Sequence, residues 1–100
     1  MILHINTKDQ RQVVVSLKKD GKIVDSLDAK NEYGSQVLLP LIEKILKKNK
    51  MEYKDIDGLE VETGPGSFTG IRVGVSVANA LGYTLGIPVN GKNIETEMQY

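Results

Sequence analysis

One hundred residues make one domain with room for a single modest core. Apolar residues form 40% of the chain and charged residues 26%, an ordinary globular balance, and a formal charge of zero leaves no net field to draw it to nucleic acid. The absence of cysteine excludes a disulfide scaffold and a thiolate metal site, and no run reaches membrane-spanning length or forms a signal-peptide core. The expected setting is soluble and cytoplasmic, away from membranes.

The first strand is predicted over residues 2–6. A second covers 12–18, with Val13, Val15 and Leu17 on one face and Val14, Ser16 and Lys18 on the other. Asp20-Gly21 between two apolar runs signals a hairpin, so a third strand over 23–28 pairs back antiparallel. A polar loop over 31–34 leads to Ser35, a good N-cap for a helix reaching about residue 48. Pro40 lies in its second turn and predicts a kink, since it removes one backbone hydrogen bond.

After a connector over 50–57 come a fourth strand over 58–62 and a glycine-rich turn. The second helix is predicted from about Thr69 to Leu85, stopped by Gly86 with Pro88 just beyond. Val89 falls in a short fifth strand, and residues 93–100 read as a loose tail with no helical pattern cut off mid-turn, as a natural end would read. The order βββαβαβ predicts an α/β fold, one mixed five-stranded sheet with two main helices packed on it.

The turn reads Gly64-Pro65-Gly66-Ser67-Phe68-Thr69-Gly70, running on into Ile71-Arg72. Its glycines give backbone room, Pro65 fixes one φ, and Ser67 or Thr69 can cap the helix. First-turn amides then point outward with the positive end of the helix dipole, so Gly64, Gly66, Ser67 and Thr69 form a candidate anion-binding loop. The chemistry alone is unspecific. It lacks the Lys-Ser/Thr ending of a P-loop and the spacing of a dinucleotide fingerprint.

As a string, Gly64 through Arg72 resembles the signature of the TsaB (YeaZ) family, the partner subunit of the bacterial tRNA threonylcarbamoyladenosine synthase. Met1-Ile2-Leu3-His4-Ile5-Asn6-Thr7 is similar to that family's opening strand and turn, residues 35–42 to its first helix, and Leu85-Gly86-Ile87-Pro88-Val89 to its return strand. The resemblance implies a ribonuclease H-like lobe of the actin/Hsp70/sugar kinase superfamily. It covers nearly all of the chain but only the first lobe of an ordinary member, so a single N-terminal-type domain over 1–100 without the second lobe is expected.

Both helices carry more apolar surface than one sheet requires. The first places Val37, Leu38, Leu39, Leu41, Ile42, Ile45 and Leu46 over roughly 200° of its circumference. On the second, Arg72, Ser76, Asn79 and Tyr83 share one narrow polar strip. Gly70, Gly74 and Ala78 recur every four residues, a smooth groove where another helix can approach. Packing of the helices against each other and the sheet explains part of the excess; an exposed patch that marks an interface is the alternative. The family's members dimerise, or pair with the catalytic subunit TsaD, through these two helices. The resemblance therefore favours an interface made of Leu38, Leu39, Ile42, Ile45, Leu46, Gly70, Ile71, Val73, Gly74, Val77, Ala78 and Leu81.

Catalytic chemistry finds few candidates. Asn6 stands where many superfamily relatives carry a metal-positioning aspartate, and an amide lacks the charge a hard cation prefers. The catalytic sister subunits carry a two-histidine metal motif after the return strand, whereas this chain reads Asn90-Gly91-Lys92-Asn93-Ile94-Glu95-Thr96-Glu97. His4, the single histidine, alternates with Leu3 and Ile5 as a strand residue, and Ser67 has no other histidine to act as its base. Lys44, Lys47, Lys48, Lys50 and Lys54 read as a solvated helix face and connector, rather than as a tRNA phosphate contact.

The resulting expectation is a subunit with no catalytic residue, metal ligand or cofactor of its own. It pairs with a TsaD-type subunit that holds the ATP and metal, supports threonylcarbamoyl transfer to adenosine of tRNA, and touches tRNA only indirectly. Docking of a TsaE-like ATPase is left open, and the chain alone is expected to form a homodimer. Two alternatives stand beside it: a stand-alone homodimeric interaction module, and a nucleotide-binding enzyme whose cleft forms between two chains.

Overall fold

Alternation of apolar and polar residues in the first thirty positions produces a meander of three strands, β1 (Ile2–Asp9), β2 (Gln12–Lys19) and β3 (Lys22–Lys30). A fourth, β4 (Gly58–Val61), lies parallel to β1, giving the mixed order β3-β2-β1-β4. The structure, a computed structural model, describes residues 1–9, 11–30 and 34–100, the side chains of 34 and 35 excepted. The expected 31–34 loop and the Ser35 cap therefore lie outside the described residues, apart from the backbone of α1 (Gly34–Lys48).

Pairing of Leu3 with Leu17 and Leu59, and of Ile5 with Val15 and Val61, puts every one of these side chains on one face of the sheet. Both helices cover that face. Helix α2 (Phe68–Leu85) lies over β1 and β4, α1 lies over β2 and β3, and the two touch. Leu38, Ile42 and Ile45 from α1 and Ile71, Val75 and Ala78 from α2 complete the core. The radius of gyration, 12.2 Å, against about 13 Å for a self-contained domain of this length, shows that the lobe closes on itself.

Two expectations are corrected. The sheet has four strands among the described residues, not five, because Val89 makes only an isolated parallel bridge to Leu59. Asn90 (φ 52°) and Gly91 (φ 75°) turn the chain back at once, and Val89 and Lys92 exchange backbone hydrogen bonds of 2.7 and 2.9 Å across that turn. The tail is not loose either: Gln99 N donates to Thr63 O at 2.6 Å, and Met98 packs against the core.

Candidate functional site

Ser67 opens α2 as its N-cap, its hydroxyl accepting from Gly70 N at 3.2 Å, and Gly86 closes it in the left-handed region. Between these ends the small residues face the chain's own sheet. The Thr7 hydroxyl donates to Gly70 O at 2.5 Å. A Cβ on Gly70 would run into Thr7 O, and one on Gly74 into Thr7 Oγ1. One turn before the end, a Cβ on Gly82 would stand 2.6 Å from Val89 Cγ2. The groove expected to receive another helix is thus filled by β1 and the 87–89 segment.

The same packing corrects most of the expected interface. Leu38 is 1% exposed, and Ile42, Ile45, Leu46, Ile71, Gly74 and Ala78 are buried as well, so none presents a surface to a partner. What remains outside is narrower. Leu39 on α1 is 46% exposed, and Val73, Val77 and Leu81 on α2 are half-buried at the margin of the core. The last three are spaced by four and lie within roughly 80° of arc, forming one apolar ridge.

The glycine-rich turn is held between β1 and the tail. Ser67 N donates to Lys8 O at 2.8 Å, and a Cβ on Gly66 would stand 2.5 Å from that same oxygen. Gly64 has φ 109°, and a Cβ there would collide with the carbonyl of Gln99. Close approach of backbone on both sides accounts for these glycines without a ligand. The Ser67 hydroxyl is taken up by its cap, while Thr69 is exposed.

The face of the sheet away from the helices carries charge. His4 lies between two carboxylates, Nδ1 2.8 Å from Glu60 Oε1 and Nε2 2.9 Å from Glu62 Oε2. Lys18 reaches Glu60 at 2.8 Å and Lys8 reaches Glu62 at 3.4 Å. The hydrogen bond from Lys18, followed by that from His4, holds the Glu60 carboxyl below the usual glutamate range. His4 and Ser67 therefore have different partners and form no nucleophile–base pair. Asn6 Oδ1 accepts from Lys8 N at 3.1 Å and so shapes the end of β1. The five lysines of the basic run are all exposed, with Lys48 paired to Asp25 and Lys54 to Glu52.

Two asparagine clasps leave no periodic mark in the sequence, Asn79 on Glu95 and Asn90 on Val61, each bonding a backbone N–H and C=O together. Only the second had a signal: Asn90-Gly91 is a turn dipeptide.

The TsaD family model, described as tRNA N6-adenosine threonylcarbamoyltransferase, matches residues 28–93. The tRNA threonylcarbamoyladenosine biosynthesis protein TsaB of Buchnera aphidicola subsp. Schizaphis graminum is 37% identical over 93 residues, covering 91% of this chain and 43% of its own. TsaB of Bacillus subtilis is 30% identical over 96 residues, covering 95% and 42%. In three dimensions, YeaZ from Pseudomonas aeruginosa superposes with a TM-score of 0.79 at 27% identity, over 88% of this chain and 41% of that one. The fold is that of a single ribonuclease H-like lobe, and the chain spans roughly two fifths of the length of these relatives.

Proposed function

We propose a function from the premise that this chain belongs to the TsaD family of threonylcarbamoyladenosine proteins, on its TsaB (YeaZ) side. It serves tRNA threonylcarbamoyladenosine biosynthesis in the cytoplasm as a non-catalytic subunit, docked on a TsaD-type partner through the outer side of α1 and α2. One observation carries this reading: the ridge Val73, Val77 and Leu81 on α2 and the exposed Leu39 on α1 are left over once the core is filled. Partly exposed apolar side chains on two touching helices suit a partner's helix pair better than water.

In this role the chain acts on the partner's conformation, which requires that its ridge contact one state of the partner better than another. ATP and metal belong to the partner. At the position of the metal-positioning acid, Asn6 has its carbonyl oxygen engaged by Lys8 N.

Co-purification with a TsaD-type subunit tests the reading. Val77→Glu puts a charge on the ridge at a half-buried site, so the variant should remain folded and lose the partner. Retention of the partner by folded Val77→Glu would refute the ridge. The same surface supports self-association when no partner is present; sedimentation of the chain alone and with the partner separates homodimer from heterodimer.

A further inference from the structure

Residues 91–100 form no helix or strand, yet they lie in a defined seat. Two amide side chains hold it, one at its start and one at its middle. Asn90 Oδ1 accepts from Val61 N at 2.9 Å and its Nδ2 donates to Val61 O at 3.1 Å, closing the outer edge of β4 where a fifth strand would run. Asn79, on α2, takes hold of the segment itself: Nδ2 donates to Glu95 O at 2.9 Å and Oδ1 accepts from Glu95 N at 2.8 Å. Farther on, Gln99 N donates to Thr63 O at 2.6 Å. The Tyr100 ring then packs 4.6 Å from that of Phe68, with the Arg72 guanidinium 5.2 Å from the Phe68 centroid.

The seat is held by few groups. Within the segment only Met98 packs against the apolar core, and the one buried residue is Glu95, 4% exposed. Glu95 Oε1 accepts from Glu97 N at 3.3 Å and from Lys92 Nζ at 3.4 Å, and Lys92 Nζ lies 3.1 Å from Oε2, an ion pair that leaves Oε2 without an aligned donor. A desolvated carboxylate oxygen costs free energy that the same group in water does not. Little apolar burial and one imperfectly satisfied charge define a segment that opens below the threshold of global unfolding.

We propose that residues 91–100 are a strap that lifts from α2 and the Gly64 turn as a unit while the sheet stays folded. Docked, the strap lies directly on Gly64, where a Cβ would strike Gln99 O. That turn follows β4 at the carboxyl ends of the parallel pair β1 and β4, the end of an open α/β sheet where ligands bind. The docked strap therefore covers that end of the lobe. It occupies the Phe68, Arg72 and Asn79 side of α2, roughly 160° around the helix from the Val73–Val77–Leu81 ridge, so lifting leaves the docking ridge as it is.

Amide hydrogen exchange on the full chain, followed residue by residue, tests the strap. Glu95 N and Gln99 N are the reporters, since their acceptors are Asn79 Oδ1 and Thr63 O. Both should exchange at a common rate at least about tenfold above that of the β1–β2 ladder. Asn79→Ala should raise both rates a further tenfold or so, the loss of a roughly 1.4 kcal/mol clasp, and leave β1 and β2 unchanged. Tyr100→Ala, at an exposed position, supplies a second variant with the same expected sign if Asn79→Ala misfolds. Exchange of both amides only at the β1–β2 rate, or a Gln99 amide indifferent to both variants, would overturn the proposal.

Discussion

Replacing Gly74 by alanine tests where the small side of α2 points. On an open helix surface the change stabilises by about 1 kcal/mol, because alanine is the better helix former. Here the added Cβ meets Thr7 Oγ1, with Thr7 Cβ and Val61 Cγ2 both at 3.4 Å behind it. Thr7 is buried and its hydroxyl is tied to Gly70 O at 2.5 Å, so it cannot step aside without losing that bond. Overpacking of about 1–3 kcal/mol and the loss of one hydrogen bond, about 1 kcal/mol, outweigh the helical gain. The net destabilisation is about 1–3 kcal/mol, and each 1 kcal/mol lowers Tm by roughly 4–8 °C in a domain of this size. Thr7→Ala removes the obstructing oxygen, so the double variant Thr7→Ala/Gly74→Ala should regain the helical term. Urea melts of the four proteins at one fixed protein concentration would then give a coupling of about 2–4 kcal/mol, the difference between a loss of about 1–3 in the parent and a gain of about 1 in the Thr7→Ala background. A Gly74→Ala protein more stable than the parent, with effects that add, would refute the packing of α2 on β1.

Leu38→Glu should prevent folding rather than block association, because Leu38 is 1% exposed; a folded variant by circular dichroism would contradict its place in the core. The Tm of the chain should rise with its own concentration and on adding a TsaD-type subunit, since association stabilises the folded state by mass action; insensitivity to both would remove the ridge as an interface. Calorimetry with magnesium-ATP should give no site on the isolated chain, and one site per chain at micromolar affinity would restore the nucleotide-binding enzyme. With its carboxyl held low first by Lys18 and then by His4, Glu60 contributes stability that is present above the ordinary glutamate range and lost as pH falls through the depressed value. The contribution is small and salt-screened at this partly exposed site, and Glu60→Gln should flatten the acid limb of Tm against pH; a steeper limb would reverse the sign.

The meander, both helices and a cap at Ser67 or Thr69, which the structure assigns to Ser67, were legible because each rests on a local pattern: alternation, a 3.6-residue period, a turn dipeptide, a side chain able to reach an amide. The shortening of the expected fifth strand to a single bridge was not, although Asn90-Gly91 carried the signal for the turn that stands in its place. Nothing periodic marks the strap, whose seat depends on Asn79 meeting Glu95 across 16 residues of sequence. Contacts of that kind exist only once the chain is folded.

The apolar excess of the two helices divides in a way that period alone could not assign. The broad face of α1 is absorbed, since the helix sits over β2 and β3 with α2 beside it, and Leu38, Leu41, Ile42, Ile45 and Leu46 all enter the core. On α2 nearly the whole circumference is apolar or small, so a hydrophobic face gives no direction. Size gives it instead. Gly70, Gly74, Ala78 and Gly82 lie four apart, and a helix turns its smallest residues to the nearest backbone, here Thr7 of β1 and the chain at Val89. With that side fixed against the sheet and the Phe68, Arg72 and Asn79 side taken by the strap, Ser76, Ala80 and Tyr83 face outward, and Val73, Val77 and Leu81 form the partly buried apolar flank on which the proposed docking rests.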